Sequence, residues 1–304
     1  MTNQRVLFVT DFDGTLTAKD TSHLSFRSTG KFKQARPDER VALLDEIRNR
    51  GVTYMKEYQQ LFDQLVQQHR TTTDHHTGNI TNFLKQIDDF NIQSRVALAR
   101  DHRFDDVTTD GIEELSGEIV FNTHAREAVR GFNDHESVAC KILSVNWFPD
   151  LLVASMHGIV AADDVIASKL PVLQGTGNKG VGNEKNGDEG GVDHGQVSTA
   201  LGKAEWMRKL HNTYRGHVSV YVGDSVTDMG ALLEAHHGIV FGRSSTVVTV
   251  AAIFGIRIVP LDSILDGGNE ENQGGVGTKV LYSTTCWHEI EMFVNHLVVR
   301  NVCA

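Results

Sequence analysis

Residues 5–17 read RVLFVTDFDGTLT. The run 5–10 is short, rich in β-formers and apolar on both faces, the pattern of a strand buried inside a parallel sheet. It stops at Asp11, and Phe12, Asp13, Gly14 and Thr15 follow at once. In an open parallel sheet, ligands bind beyond the carboxyl ends of the strands, which is where this reading puts Asp11. A carboxylate there can attack phosphorus. Asp13, two residues on, can protonate a leaving alcohol and then deprotonate a water. Gly14 permits a sharp turn, and the amides after it, including that of Thr15, can face a phosphate. An Asp-x-Asp-Gly turn also opens calcium loops, but the EF-hand needs a late Glu and a helix on each side. The preceding strand favours phosphoryl transfer.

Outward from this turn the texture changes. Segments 38–50, 52–70 and 79–90 show helical spacing of apolar residues, so a helical unit is inserted directly behind the first strand. Alternation then returns: helix over 124–135, strand over 138–146, helix over 149–157 and a strand within 158–167. Further on come helix 202–214, strand 217–223, helix 225–236, strand 238–242, a helix through TVVTVAAIFG, strand 256–261 and a last helix from Trp287 to about Val299. This order predicts an α/β fold, a Rossmann-like doubly wound parallel sheet. The core is expected over 1–18 and 117–304 and the helical cap over 19–116. Residues 174–195 are glycine-rich with almost nothing to bury and read as a flexible insertion, and 266–278 is similar in composition.

Three further features surround the first turn. Ser144 ends the strand 138–146, where a hydroxyl and its amide can hold a phosphoryl oxygen, although serines are common in turns. Lys203 opens a helix, where an ammonium could neutralise charge shared by nucleophile and phosphate. Lys169, Lys179 and Lys185 compete for that role. VSVYVGDSVTD (218–228) places Asp224 and Asp228 just after a second strongly apolar strand. Magnesium prefers hard oxygen donors in octahedral geometry. Asp11, the carbonyl of Asp13 and Asp224 could supply them, with Asp228 as a further ligand or just outside the set. A helix N-cap is the plainer role for Asp224. Asp20, Thr21, His23 and Asn146 are candidate substrate-facing positions.

Composition narrows the partners. A net charge of −10 over 304 residues offers no basic surplus for a nucleic-acid backbone. No apolar run approaches the roughly 20 residues of a membrane-spanning helix. The N-terminal stretch lacks the pattern of an export leader. Three scattered cysteines offer neither a disulfide framework nor a zinc spacing, and a cytoplasmic protein is expected. The paired His75-His76 and His236-His237 are neighbours in sequence, point to different faces, and read as solvated surface rather than ligands.

DFDGTLT, then a strand ending in Ser144, then Lys203, then GDSVTD, together resemble the four-motif signature of haloacid dehalogenase-type phosphatases, across nearly the whole chain. The resemblance implies Asp11 as nucleophile, Asp13 as acid and base, Ser144 and Lys203 as phosphate binders, and Asp224 with Asp228 around Mg²⁺. It also implies that the insert is a C1 cap closing over the site. Residues 221–261 and 280–294, with the segment ILSVNWFPDLLVAS, look like the phosphatase unit of plant thiamin monophosphate phosphatases. The expected substrate is therefore a small phosphorylated metabolite, thiamin monophosphate first. A nucleotidase, a phosphoserine phosphatase and an inactive binding protein on the same scaffold are the alternatives. The sequence carries no indication of oligomeric state.

Overall fold

A computed structural model describes residues 4–71, 78–100, 109–168, 197, 199–265 and 279–299. Strand β1 (Val6–Thr10) leads into the insert, which holds α1 (Ser22–Arg27), α2 (Gly30–Gln34), α3 (Pro37–Thr71), α4 (Gly78–Arg100) and α5 (Thr109–Ser116). The chain then runs through α6 (Ala125–Asn133), β2 (Val138–Ser144), α7 (Pro149–Ser155), β3 (Val165–Ala167) and α8 (Ala200–Thr213). It continues with β4 (Val218–Gly223), α9 (Met229–Glu234), β5 (His237–Phe241), α10 (Ser245–Ile253), β6 (Arg257–Pro260), α11 (Asp262–Leu265), β7 (Val280–Thr284) and α12 (Trp287–Val299).

The seven strands form one sheet in the order β3-β2-β1-β4-β5-β7-β6, and every pairing is parallel. The expected doubly wound α/β architecture is what the chain adopts. From β1 the order first runs outward through β2 and β3, then restarts on the other side of β1 with β4. The crevice at the carboxyl ends of β1 and β4 is thus the topological switch point. Period-two alternation divides β1 between two cores, because successive side chains leave a strand on opposite faces. Val6 and Phe8 pack on one side with Phe132, Trp287 and Phe293. Leu7 and Val9 pack on the other with Tyr221, Met229 and Leu281.

Helices α3 and α4 lie antiparallel, joined by the ring contacts Tyr54–Phe90 and Phe62–Phe83. Their inner ends are continuous with the sheet's second core: Phe62, Leu65, Phe83 and Ile87 share a cluster with Leu7 and Val9, and Phe83 meets Phe254, the residue that follows α10. The base of the helical insert is therefore packed into the sheet half, so closure by rigid movement of the whole insert would break a core.

Several sequence expectations change in detail. Residues 38–50 and 52–70 are one helix, α3, running through Gly51. A glycine costs about 1 kcal/mol there relative to alanine, and a 35-residue helix propagates through it cooperatively. The strand expected within 158–167 shrinks to Val165–Ala167 behind a 3-10 turn at Ala162–Asp164. Strand β7 was not anticipated: it slots between β5 and β6 and is short, following a polar stretch that masks its pattern. His237 is not solvated surface; its ring meets Phe293 at 5.2 Å. The segments 174–195 and 266–278, and Lys169, Lys179 and Lys185, lie outside the described residues.

Candidate active site

Register sets the site. Thr10 pairs with Ile142 of β2 and with Val222 of β4, and the Asp11 amide continues the ladder onto the Val222 carbonyl at 2.8 Å. Ser144 and Asp224 each stand two residues past those partners. The three strand ends therefore deliver Asp11, Ser144 and Asp224 to the same end of the sheet.

The turn after β1 is held from several directions. Gly14 has φ +73°, a conformation that suits glycine, and its amide donates to Thr17 Oγ1 at 3.2 Å. The Thr15 carbonyl accepts from Asn122 Nδ2 at 2.8 Å and from Trp287 Nε1 at 3.0 Å. The Thr15 hydroxyl donates to Asp224 Oδ1 at 3.2 Å, tying the first acidic turn to the second.

Lys203 is fully buried, with its Nζ 3.0 Å from Asp11 Oδ1 and 2.6 Å from Asp228 Oδ1. The hydroxyl of Tyr221 donates to the same Asp228 oxygen at 2.7 Å. Asp228 Oδ2 accepts from the amides of Asp224 and Ser225 and from the Ser225 hydroxyl, at 3.2, 3.0 and 2.9 Å. Asp228 thus fixes Lys203 and shapes the turn that presents Asp224.

Asp13 has its own cradle. Its Oδ1 accepts from the amide and hydroxyl of Thr21, both at 2.7 Å, and its Oδ2 from Asn146 Nδ2 at 2.7 Å. Asn146 Nδ2 also donates to Thr21 Oγ1 at 3.1 Å, and the Asn146 amide donates to Ser144 Oγ at 3.2 Å. Thr21 and Asn146 therefore orient Asp13 instead of facing open space. Asp20 is exposed, and the side chain of His23 lies outside what is described.

Burial dominates the electrostatics. It pushes the Asp11 carboxyl well up, reinforced by Asp228 and only partly offset by Lys203. Burial and the charge of Asp20 raise Asp13 to about 6, against the hydrogen bonds from Thr21 and Asn146. Burial and Asp228 raise Asp224 to about 7. Burial would also raise Asp228, but Lys203 and its hydrogen bonds outweigh that and lower it. Three carboxylates, Asp11, Asp224 and Asp228, have ligand atoms within 4.8 Å of one another, and the Lys203 ammonium pairs with two of them, Asp11 and Asp228. Carboxyls raised by burial and like charge favour a nearby cation. A set of hard oxygens suits Mg²⁺, and Asp11 and Asp224 fit that role.

Among the described residues, Lys203 is the lysine that stands beside Asp11. Tyr221, Asn122, Trp287 and Thr17 were not picked out from sequence. Tyr221 alone left a trace, a phenol within a strand otherwise apolar at its centre; the contacts of Asn122 and Trp287 span too many residues to leave one.

The chain thus combines a parallel sheet, a helical insert behind the first strand and two acidic turns that meet at one end of the sheet. A comparison with protein-family models finds none that matches. Among curated proteins the chain is similar to the bifunctional TH2 protein, mitochondrial, of Arabidopsis thaliana, with 23% identity over 95% of this chain. The chain spans 49% of that protein's length. Among solved structures, a phospho-aspartyl intermediate analogue of phosphoserine phosphatase aligns at 14% identity and TM-score 0.42, covering 82% of this chain and 91% of that one. A substrate-bound phosphoserine phosphatase complex aligns at 13% identity and TM-score 0.44, with the same coverage. The geometry of the site, not these likenesses, carries the reading that follows. No helix among the described residues is long and apolar enough to cross a membrane.

Proposed function

We propose that the chain is a Mg²⁺-dependent phosphomonoester hydrolase in which Asp11 briefly carries the phosphoryl group. The supporting observation is the placement of Asp11 between Lys203, at 3.0 Å, and the Asp224 turn, with Asp13 held separately by Thr21 and Asn146. Two carboxyls two residues apart thus sit in different environments, which is how one site obtains a nucleophile and an acid.

An oxygen of Asp11 attacks phosphorus in line as the bond to the leaving oxygen breaks. Asp13, poised near 6 and so able to carry a proton, delivers it to that oxygen. The departing alcohol is replaced by water, which returns a proton to Asp13 while its oxygen bonds to phosphorus and the acyl-phosphate bond to Asp11 breaks. Lys203 and Ser144 hold the phosphoryl oxygens, and such positioned charge is the main source of rate in phosphoryl transfer. The amides of Thr15, Leu16 and Thr17, expected from sequence to face the phosphate, instead donate to the Phe12 carbonyl. Magnesium, held by Asp11, the Asp13 carbonyl and Asp224, would supply the remaining positive charge. Asp228 belongs outside that set in this proposal, because its oxygens already accept five hydrogen bonds.

Thiamin monophosphate is the substrate we favour. The exposed Asp20 acts electrostatically on both Asp13 and Tyr54, and Tyr54 stacks with Tyr58 and Phe90. A carboxylate beside aromatic faces suits a cationic ring on the leaving side. A cytoplasmic location is part of the same proposal, to be checked by fractionation. Phosphate release from thiamin monophosphate, nucleoside monophosphates and phosphoserine tests the reading. The expected result is magnesium-dependent turnover, abolished by chelation, with the highest kcat/KM on thiamin monophosphate. Preference for phosphoserine would overturn the substrate, and no release from any monoester would overturn the reaction.

A further inference from the structure

On the opposite side of the Thr15 turn, three side chains converge that the proposed reaction does not use. His124 immediately precedes α6, while His288 and Glu291 lie one turn apart at the start of α12, so they share a face. His124 Nε2 is 2.8 Å from Glu291 Oε2, and His288 Nδ1 is 3.3 Å from the same oxygen. The imidazoles meet edge to face at 5.5 Å. One ligand atom from each residue lies within 4.8 Å of the other two. Ligands about 2.0–2.2 Å from a tetrahedral zinc stand roughly 3.4 Å apart, so small rotations would seat an ion among these three.

A second feature sets the trio apart from an ordinary surface ion pair. His124 has φ +69° and is the only non-glycine among the described residues with a left-handed backbone. Such conformations are disfavoured and persist where the surroundings enforce them. Here the conformation brings the His124 ring to α12. The side chains of His124, Glu291 and His288 are 35%, 26% and 62% exposed, which leaves an entry path and a face open to water.

We propose that His124, His288 and Glu291 form a second metal site that takes Zn²⁺ or a similar borderline transition ion, with water completing the tetrahedron. Two imidazoles and one carboxylate is a donor set that selects against magnesium. The site is separate from the carboxylate crevice and does not depend on the phosphatase reading. It clamps α6 to α12 just behind the two residues, Asn122 and Trp287, that hold the Thr15 carbonyl.

The test is calorimetric titration of the EDTA-stripped full chain with Zn²⁺ under saturating Mg²⁺, so that the carboxylate site is occupied. Loss of an outer-shell partner of a metal ligand already weakens affinity about 10- to 100-fold. His288→Ala, a change at an exposed position, and Glu291→Gln should each weaken the tightest zinc event at least tenfold, while Asp224→Asn leaves it unchanged. Absence of zinc uptake by the wild-type chain would overturn the proposal. So would unaltered affinity in His288→Ala and Glu291→Gln, which would assign the zinc to other histidines among the chain's 15.

Discussion

Gly14 and Asp224 are packed so closely that a Cβ on Gly14 would stand 2.5 Å from Asp224 Oδ2. The two acidic turns, more than 200 residues apart, therefore meet at a point where only hydrogen fits. Gly14→Ala meets two obstacles: that clash, and a left-handed backbone that disfavours a side chain by about 1–2 kcal/mol. Displacement of reacting groups by about 1 Å can cost a hundredfold in rate. The expected result is a folded variant, lower in Tm, with kcat reduced about a hundredfold. Wild-type turnover would show that the contact is irrelevant to catalysis.

Lys203 is buried between two carboxylates, and removing one partner of a buried ion pair leaves the other uncompensated. Lys203→Met should lower the unfolding free energy by about 3–5 kcal/mol in urea titrations as well as suppress turnover. Adding Asp228→Asn should recover part of the stability and none of the activity. A Lys203→Met chain as stable as wild type would contradict the ion-pair account.

Asp88 joins the insert to the sheet half: from α4 its carboxylate accepts the amides of Ala200 and Leu201 at the start of α8, at 2.8 and 3.0 Å. Burial raises its pKa to about 6, against the pull of those amides. The folded chain then binds this proton more tightly than the unfolded chain. The resulting stabilisation is fully present below about pH 4 and is lost as pH rises through about 6. The rise from 3.8 to about 6 corresponds to at most ~3 kcal/mol. Asp88→Asn, neutral throughout, should show a shallower fall in stability between pH 4 and 6 than wild type in parallel denaturant titrations. Identical slopes would remove Asp88 as their source.

How much of this was legible beforehand follows from how local each signal is. Asp11, Asp13 and Gly14 form one turn, and the strand before them fixes their place, so the candidate site could be placed from a dozen residues, while the fold was legible in the alternation of strands and helices along the chain. Lys203 was picked out but could not be separated from other lysines, because its distinction is three-dimensional: among the described residues it is the lysine brought between Asp11 and Asp228. Thr21 and Asn146 were picked out for the right neighbourhood and a different task, since contact with Asp13 has no sequence signature. Strand β7 escaped notice because its five residues follow a polar stretch, and its place between β5 and β6 is set by the sheet alone. Asn122, Trp287 and Asp88 act across more than 100 residues of chain, where pattern reading has no purchase.

The most direct measurement is the site of covalent phosphorylation during turnover. Acid-quenched reactions with a phosphomonoester and Mg²⁺, digested and mapped by mass spectrometry, should place an alkali-labile phosphoryl group on Asp11, and Asp11→Asn should neither acquire it nor turn over. Steady turnover with no phosphorylated peptide, or with the group on Asp13, would contradict the account.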